Sequence, residues 1–207
     1  MARGHQSLVV IAILAAGASS RMRGGDKLLE MVQGEPMLRR QARLALQTGA
    51  PVIVTLPTDR PDRNLALAGL DVQVIGVPDA DLGMSVSLRA ALQAASDMDM
   101  PAKAGLMVLP ADMPDFTVDA LMAIIRAYQH AQDCIVRATA ADGRPGHPAI
   151  FPREFWHELA TMTGDQGGRA VIAAHPARVR LTELPGAMAT TDLDTPEDWA
   201  NWRASRE

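Results

Sequence analysis

Continuous apolar runs alternate with amphipathic stretches along this chain, and that alternation limits the folds open to it. Leu8–Leu14 reads LVVIAIL, β-branched and without a polar break, as expected of a strand buried on both faces. Pro51–Leu56, Val72–Val77, Gly105–Leu109, Cys134–Ala138 and Val179–Leu184 read as further strands, and Ala149–Phe151 as a short or edge strand. Between them the apolar period predicts helices over Pro36–Thr48, Ser85–Ala95, Thr117–Gln129, Pro152–Met162, Gly168–His175 and Pro196–Arg203. The turn-rich Ala141–Pro148 reads as a loop. A βαβα order with short connections implies a largely parallel sheet with helices on both faces. In such α/β sheets ligands bind beyond the carboxyl ends of the strands, so the residues that follow each strand carry the functional reading.

Composition removes several alternatives. The single cysteine, Cys134, excludes an intramolecular disulfide framework and a zinc site built on several thiolates. A net charge of −4 argues against broad binding of nucleic acid, and 3% aromatic residues are too few for a base-stacking platform. No run approaches the ~20 apolar residues that span a bilayer. Leu8–Ala16 ends in Gly17-Ala18-Ser19-Ser20-Arg21-Met22-Arg23, so it reads as a buried strand rather than a signal peptide, and a cytoplasmic protein is expected. Lys27 and Lys103 are the only lysines; arginine, which suits forked anion contacts, supplies the remaining basic charge.

The first strand leads into Leu14-Ala15-Ala16-Gly17-Ala18-Ser19-Ser20-Arg21-Met22, then Arg23-Gly24-Gly25-Asp26-Lys27-Leu28. Small residues admit close backbone approach, and their amides can form an anion-binding nest. Arg21 can fork onto a phosphate and Lys27 can add a point charge. The loop is neither a G-x-G-x-x-G fingerprint nor a Walker A loop. Taken alone, it is equally a strand exit with two solvated charges.

Residues 14–28 resemble the L-A-A/G-G-x-S-x-R-M-G-x-x-K signature of the nucleotidyltransferase superfamily, in the flavour of the molybdenum cofactor nucleotidyltransferases with a MobA-like NTP transferase domain. Leu14, Ala15, Ala16, Gly17, Ser19, Arg21, Met22 and Lys27 match; Arg23 stands where the family has glycine. The resemblance implies a Rossmann-like, mostly parallel sheet in a three-layer α/β/α sandwich. It also implies a single domain over residues 1–207, with a nucleotide-binding half at about 8–115 and an acceptor-binding half at about 116–207. The loop would then wrap the triphosphate of an incoming nucleotide, with Arg21 and Lys27 in catalytic roles.

Three further segments extend this reading. Asp81-Leu82-Gly83-Met84-Ser85-Val86-Ser87-Leu88-Arg89 opens a helix, where Ser85 or Ser87 can cap or donate hydrogen bonds. It resembles the G-M-S/A-x-S-L-R segment of the cytidylyltransferase branch, which makes Gly83, Ser85 and Ser87 nucleotide contacts. Pro110-Ala111-Asp112-Met113-Pro114 sets a carboxylate directly after a strand, in a place that suits Mg²⁺. It resembles the family's L-x-D-M-P motif, whose aspartate holds magnesium. Asp192-Leu193-Asp194-Thr195-Pro196-Glu197-Asp198 resembles D-x-D-T-P-E-D. Thr195 or Asp194 can cap the helix that Pro196 starts. In an extended segment Asp192 and Asp194 point the same way, and one of them can face the metal opposite Asp112; the capping role open to Asp194 favours Asp192.

In the second half, Gly146-His147-Pro148-Ala149-Ile150-Phe151 and Gly164-Asp165-Gln166-Gly167-Gly168-Arg169 resemble the G-H-P-x-x-F and G-D-x-G-x-R segments of the cytidylyltransferase branch. That makes His147, Asp165 and Arg169 acceptor-binding, with Asp165 ordering the loop through Arg169. The activity implied is Mg²⁺-dependent (Mn²⁺ also serving) transfer of a nucleotidyl group from CTP to molybdopterin-type molybdenum cofactor, releasing pyrophosphate. A molybdenum hydroxylase is the implied recipient of the product, without nucleic-acid or membrane partners. Ala16 accompanies CTP use in this resemblance, whereas the guanylyl branch resembles L-A-G-G. A nucleotidyltransferase using GTP or another phosphorylated acceptor, and a non-catalytic cofactor chaperone, are the competing readings.

Overall fold

The structure is a computed structural model, described here over residues 7–164 and 167–206. Its central strand, β1 (Val9–Leu14), is the apolar run noted in the sequence, and five of its six residues are fully buried. A strand sealed on both faces needs a neighbour on each side. On one side lie β4 (Val52–Pro57) and then β5 (Gln73–Val77), both parallel. On the other lies β6 (Gly105–Pro110), also parallel. Beyond it follow β8 (Pro145–Pro152), β7 (Ile135–Thr139) and β9 (Val179–Glu183), so the seven-stranded sheet runs β5-β4-β1-β6-β8-β7-β9. A separate hairpin pairs β2 (Met31–Val32) with β3 (Glu35–Pro36).

Two faces of β1 feed two cores. Val9, Ile11 and Ile13 pack with Leu38 and Ala42 of α1 (Met37–Leu46) and with Leu121 and Ile124 of α4 (Val118–Gln129). Val10 and Ala12 pack with Leu88 and Leu92 of α3 (Met84–Ser96), Trp156 and Leu159 of α5 (Trp156–Thr161), and Val171 of α6 (Gly167–Ala174). Each buried leucine contributes roughly 1.5–3 kcal/mol. Trp199 of the closing helix α7 (Pro196–Ala204) seals a third cluster with Met22, Met37 and Leu193, which fastens the end of the chain beside the loop after β1.

The expected α/β class and helix-covered, mostly parallel sheet are observed. Three parts differ from the sequence reading, the first being the β2–β3 hairpin, which takes Pro36 from the start of the expected helix. The stretch taken as a loop at 141–148 contributes its last four residues to β8, an eight-residue strand that lies inside the sheet, antiparallel to both β6 and β7. Gly and Pro masked it. Gly146 is required there because a Cβ would stand 1.7 Å from the Ala189 carbonyl oxygen. A short helix, α2 (Pro61–Ala66), occupies a stretch that carries no clear apolar period.

Candidate active site

Strand order reverses between β1 and β6: the chain builds outward from β1 through β4 and β5, then returns to its other flank with β6. A crevice at the carboxyl ends of these two strands is the favoured ligand position in an open α/β sheet. It is a cleft of about 530 Å³, in the size range of small-ligand sites. Its walls bring together Leu14, Ala15, Ala16, Gly17, Ser20, Arg21 and Lys27 from the first loop, Gly83 and Ser87 from the start of α3, Asp112 after β6, His147 of β8, and Asp192 and Asp194.

At its floor, the Lys27 ammonium donates to Asp112 Oδ2 at 2.5 Å and to Asp194 Oδ1 at 2.6 Å. Arg21 reaches the other oxygen of Asp194 at 2.8 Å. Burial works to lower the pKa of Lys27, but the Asp112 and Asp194 carboxylates outweigh it and hold the ammonium charged. Asp192 sits half-buried beside them; burial, then the charges of Asp112 and Asp194, push its carboxyl above the usual range. The Leu193 amide donates to the Asp112 carbonyl at 3.1 Å, so backbone contact ties the two carboxylate segments together.

The helix-capping competition expected at Asp194 does not occur. Thr195 is the N-cap of α7, in a capping box with Asp198, which frees Asp194 to face Lys27. Asp194 thus converges with Asp112 on the Lys27 ammonium, and Asp192, the residue favoured from the sequence to face a metal opposite Asp112, lies half-buried beside both. Among the described residues no group of three or more His, Cys, Asp or Glu is disposed to enclose a metal. Two carboxylates around a bound ammonium still offer hard oxygen donors that fit Mg²⁺ or Mn²⁺, whose other ligands are commonly phosphate oxygens and water.

The first loop is shaped from beneath. Ser19 and Arg23 have φ of 54° and 51°, so the chain turns sharply at both ends of the short turn Ser20–Met22. Ser19, expected at the nucleotide, turns its hydroxyl to Asp26 at 3.2 Å and accepts from Arg63 at 3.0 Å, while Ser20 lines the cleft. Arg23, the residue that departs from the motif, is directed outward to Glu197. Asp26 is held by the fully buried Arg63; burial alone would raise the Asp26 carboxyl, but the guanidinium keeps it below the ordinary range.

Gly83, at φ 108°, allows the chain to enter α3 without a side-chain cap. Ser85 is buried away from the cleft walls, and its amide donates to the Gly164 carbonyl at 3.1 Å. On the far side of His147 a small pocket of about 70 Å³ is lined by Arg137, His147, Phe151, Gly168 and Arg169. His147 borders both spaces. Burial, then the positive charge of Arg137, drives its pKa down to about 4, and its Nδ1 has no hydrogen-bond partner among the described residues. Asp165 lies outside the described residues. Arg63 and Arg137 escaped the sequence reading. Arg137 had a signal, as a charge inside the apolar run Cys134–Ala138; Arg63 had none. A wider groove of about 800 Å³ beside Trp202 and Arg206 shares only Pro114 with the four motifs.

Comparison with known proteins agrees with this geometry. Residues 11–179 match the family described as MobA-like NTP transferase domain. The chain is 31% identical over 198 residues to the molybdenum cofactor guanylyltransferase of Cupriavidus metallidurans, covering 90% of each chain. It is similar to the crystal structure of Rv0371c from Mycobacterium tuberculosis H37Rv, with a TM-score of 0.81 at 29% identity, covering 93% of this chain and 95% of that one. A structure of Rv0371c in complex with manganese superposes with a TM-score of 0.78 at 27% identity, covering 95% and 98%. No helix among the described residues is long and apolar enough to cross a membrane.

Proposed function

The chain belongs to the MobA-like NTP transferase domain family and is a nucleotidyltransferase; from that premise we propose that it joins the cytidylyl group of CTP to the phosphate of molybdenum cofactor. The cofactor phosphate attacks the α-phosphorus, the bond to the β-phosphate oxygen breaks, and pyrophosphate leaves. The observation that carries this reading is the convergence of Lys27, Asp112 and Asp194 beneath a small-residue loop at the switch point of the sheet.

Each part has a physical task. An ionised phosphate is already a nucleophile, so the site needs positioning and charge neutralisation rather than a strong general base. Loop amides and Arg21 would hold the triphosphate, and Lys27 would exchange its carboxylate partners for phosphate oxygens. Asp112 and Asp194 would hold a divalent cation, which supplies neutralisation of the phosphate charge when bound. Gly83 and Ser87 stand where the nucleoside would extend. His147, Arg137 and Arg169 form the acceptor side. Neutral at physiological pH, His147 would offer a ring nitrogen for hydrogen bonding, while the two arginines would meet anionic groups of the acceptor.

The choice of CTP rests on the resemblance, in which an alanine at the position of Ala16 accompanies CTP use; Ala16 lines the cleft. The competing reading is GTP, favoured by the guanylyltransferase name of the relative from Cupriavidus metallidurans. A pure carrier has no use for a half-buried lysine between two carboxylates. The proposed setting is the cytoplasm, with a molybdenum hydroxylase as recipient of the product. Calorimetry with CTP and GTP, each with and without Mg²⁺, tests the donor: Mg²⁺-dependent preference for CTP supports the proposal, and preference for GTP overturns its base assignment.

A further inference from the structure

We infer that Arg63 and Arg60, at the start of α2, are positioning residues that pre-form the triphosphate cradle by holding the loop's carbonyls away from the cleft; this rests on the nucleotidyl-transfer reading above. Arg63 is fully buried, and the hydrogen bonds of its guanidinium all reach one loop. Nε donates to Asp26 Oδ2 at 2.7 Å. Nη1 donates to the carbonyls of Ala15 at 2.6 Å and Gly17 at 2.8 Å. Nη2 donates to the Ser19 hydroxyl at 3.0 Å and to Asp26 Oδ1 at 2.9 Å. Five N–H groups are the whole donor capacity of an arginine, so none is left over for substrate. Arg60 adds Nη2 to the Ala18 carbonyl at 3.2 Å and lies 3.8 Å from Asp26.

The carbonyls of Ala15, Gly17 and Ala18 are thus taken by arginines on the protein side. Along the same stretch, the amides of Ala16, Gly17 and Ala18 have no protein acceptor among the described residues, and these three residues line the cleft. A Cβ placed at Gly17 would meet no atom within 4 Å, so the glycine borders open space where a ligand can approach. Carbonyls fixed on one side and amides unclaimed on the other make an anion nest. A nest formed before binding avoids the ordering cost that a floppy loop incurs. Arg63 itself is too buried to touch phosphate, so its effect on binding passes through the backbone it holds.

The test compares wild type with Arg63→Ala, Arg63→Lys and Arg60→Gln. Binding of Mg-CTP, Mg-GTP and the nucleosides cytidine and guanosine is measured by calorimetry, with thermal melts to establish folding. The inference predicts triphosphate affinity at least 10-fold weaker in Arg63→Lys and about threefold weaker in Arg60→Gln, with affinity for the preferred nucleoside within twofold of wild type. Methylguanidinium should restore triphosphate binding to folded Arg63→Ala, and ammonium at equal ionic strength should not. If Arg63→Ala does not fold, Arg63→Lys and Arg60→Gln decide the matter. Triphosphate affinity within twofold of wild type in the folded variants, or equal losses of nucleoside and triphosphate, overturns the inference alone. Failure of the wild type itself to bind either triphosphate overturns the nucleotidyl-transfer reading, and this inference with it.

Discussion

Lys27 and Asp112, 85 residues apart in sequence, meet at 2.5 Å, and Asp194 closes the same ammonium from the other side. In the proposed complex Lys27 would exchange these carboxylates for phosphate oxygens. Lys27→Ala should lower turnover by roughly 100-fold or more, the scale of losing one preorganised donor to developing charge. It should also leave Asp112 without its ion pair and Asp194 held by Arg21 alone. Its melting temperature should fall in chelator and recover with Mg²⁺. Wild-type turnover in the variant contradicts the assignment.

The carboxylates divide by partner. Asp112→Asn and Asp194→Asn should each weaken Mn²⁺ binding in the presence of nucleotide at least 10-fold, read by electron paramagnetic resonance. Asp192→Asn should weaken it less, because Asp112 and Asp194, not Asp192, close on the same ammonium, while burial and then the charges of Asp112 and Asp194 raise the Asp192 carboxyl. A larger loss at Asp192 than at Asp194 reverses the ligand assignment.

How much of this was legible in sequence depended on the kind of signal. The strands at 9–14, 52–57 and 105–110 were readable because burial on both faces leaves an apolar run, broken only by Thr55 in the second. The full extent of β8 was not, because Gly146 and Pro148 serve a crowded interior position and look like turn residues. Lys27, Asp112 and Asp194 stood out as motif members, yet their common meeting point is a property of the folded chain. Arg63 was invisible for a related reason: in a stretch of mixed polar residues, nothing distinguishes an arginine that will be sealed under a loop from one in solvent.

His147 gives a pH signature. Its pKa falls from 6.5 in the unfolded chain to about 4 in the folded one. The unfolded state therefore binds more protons between these values. Stability from this group is fully present above about 6.5 and is lost as pH falls toward 4, by about 1.4 kcal/mol per unit at most. His147→Gln should flatten the melting-temperature profile over that window relative to wild type. An unchanged profile would mean that the imidazole titrates freely.

Base selection has a single-residue test. Ala16→Gly removes one methyl from the cleft wall and should shift the ratio of kcat/KM for CTP over GTP toward GTP by about 10-fold, the scale of one methyl in a pocket. A ratio unchanged within twofold would place the determinant elsewhere, with Gly83 and Ser87 the next residues to vary.

The account's central claim is the transfer itself. Purified protein incubated with Mg²⁺, molybdenum cofactor and either CTP or GTP should release pyrophosphate and yield the dinucleotide form of the cofactor, with CTP preferred and with product lost in Asp112→Asn. Product formed from GTP in preference to CTP would overturn the base assignment while leaving the chemistry. No pyrophosphate from either nucleotide, with folded protein and intact cofactor, would contradict the proposed reaction.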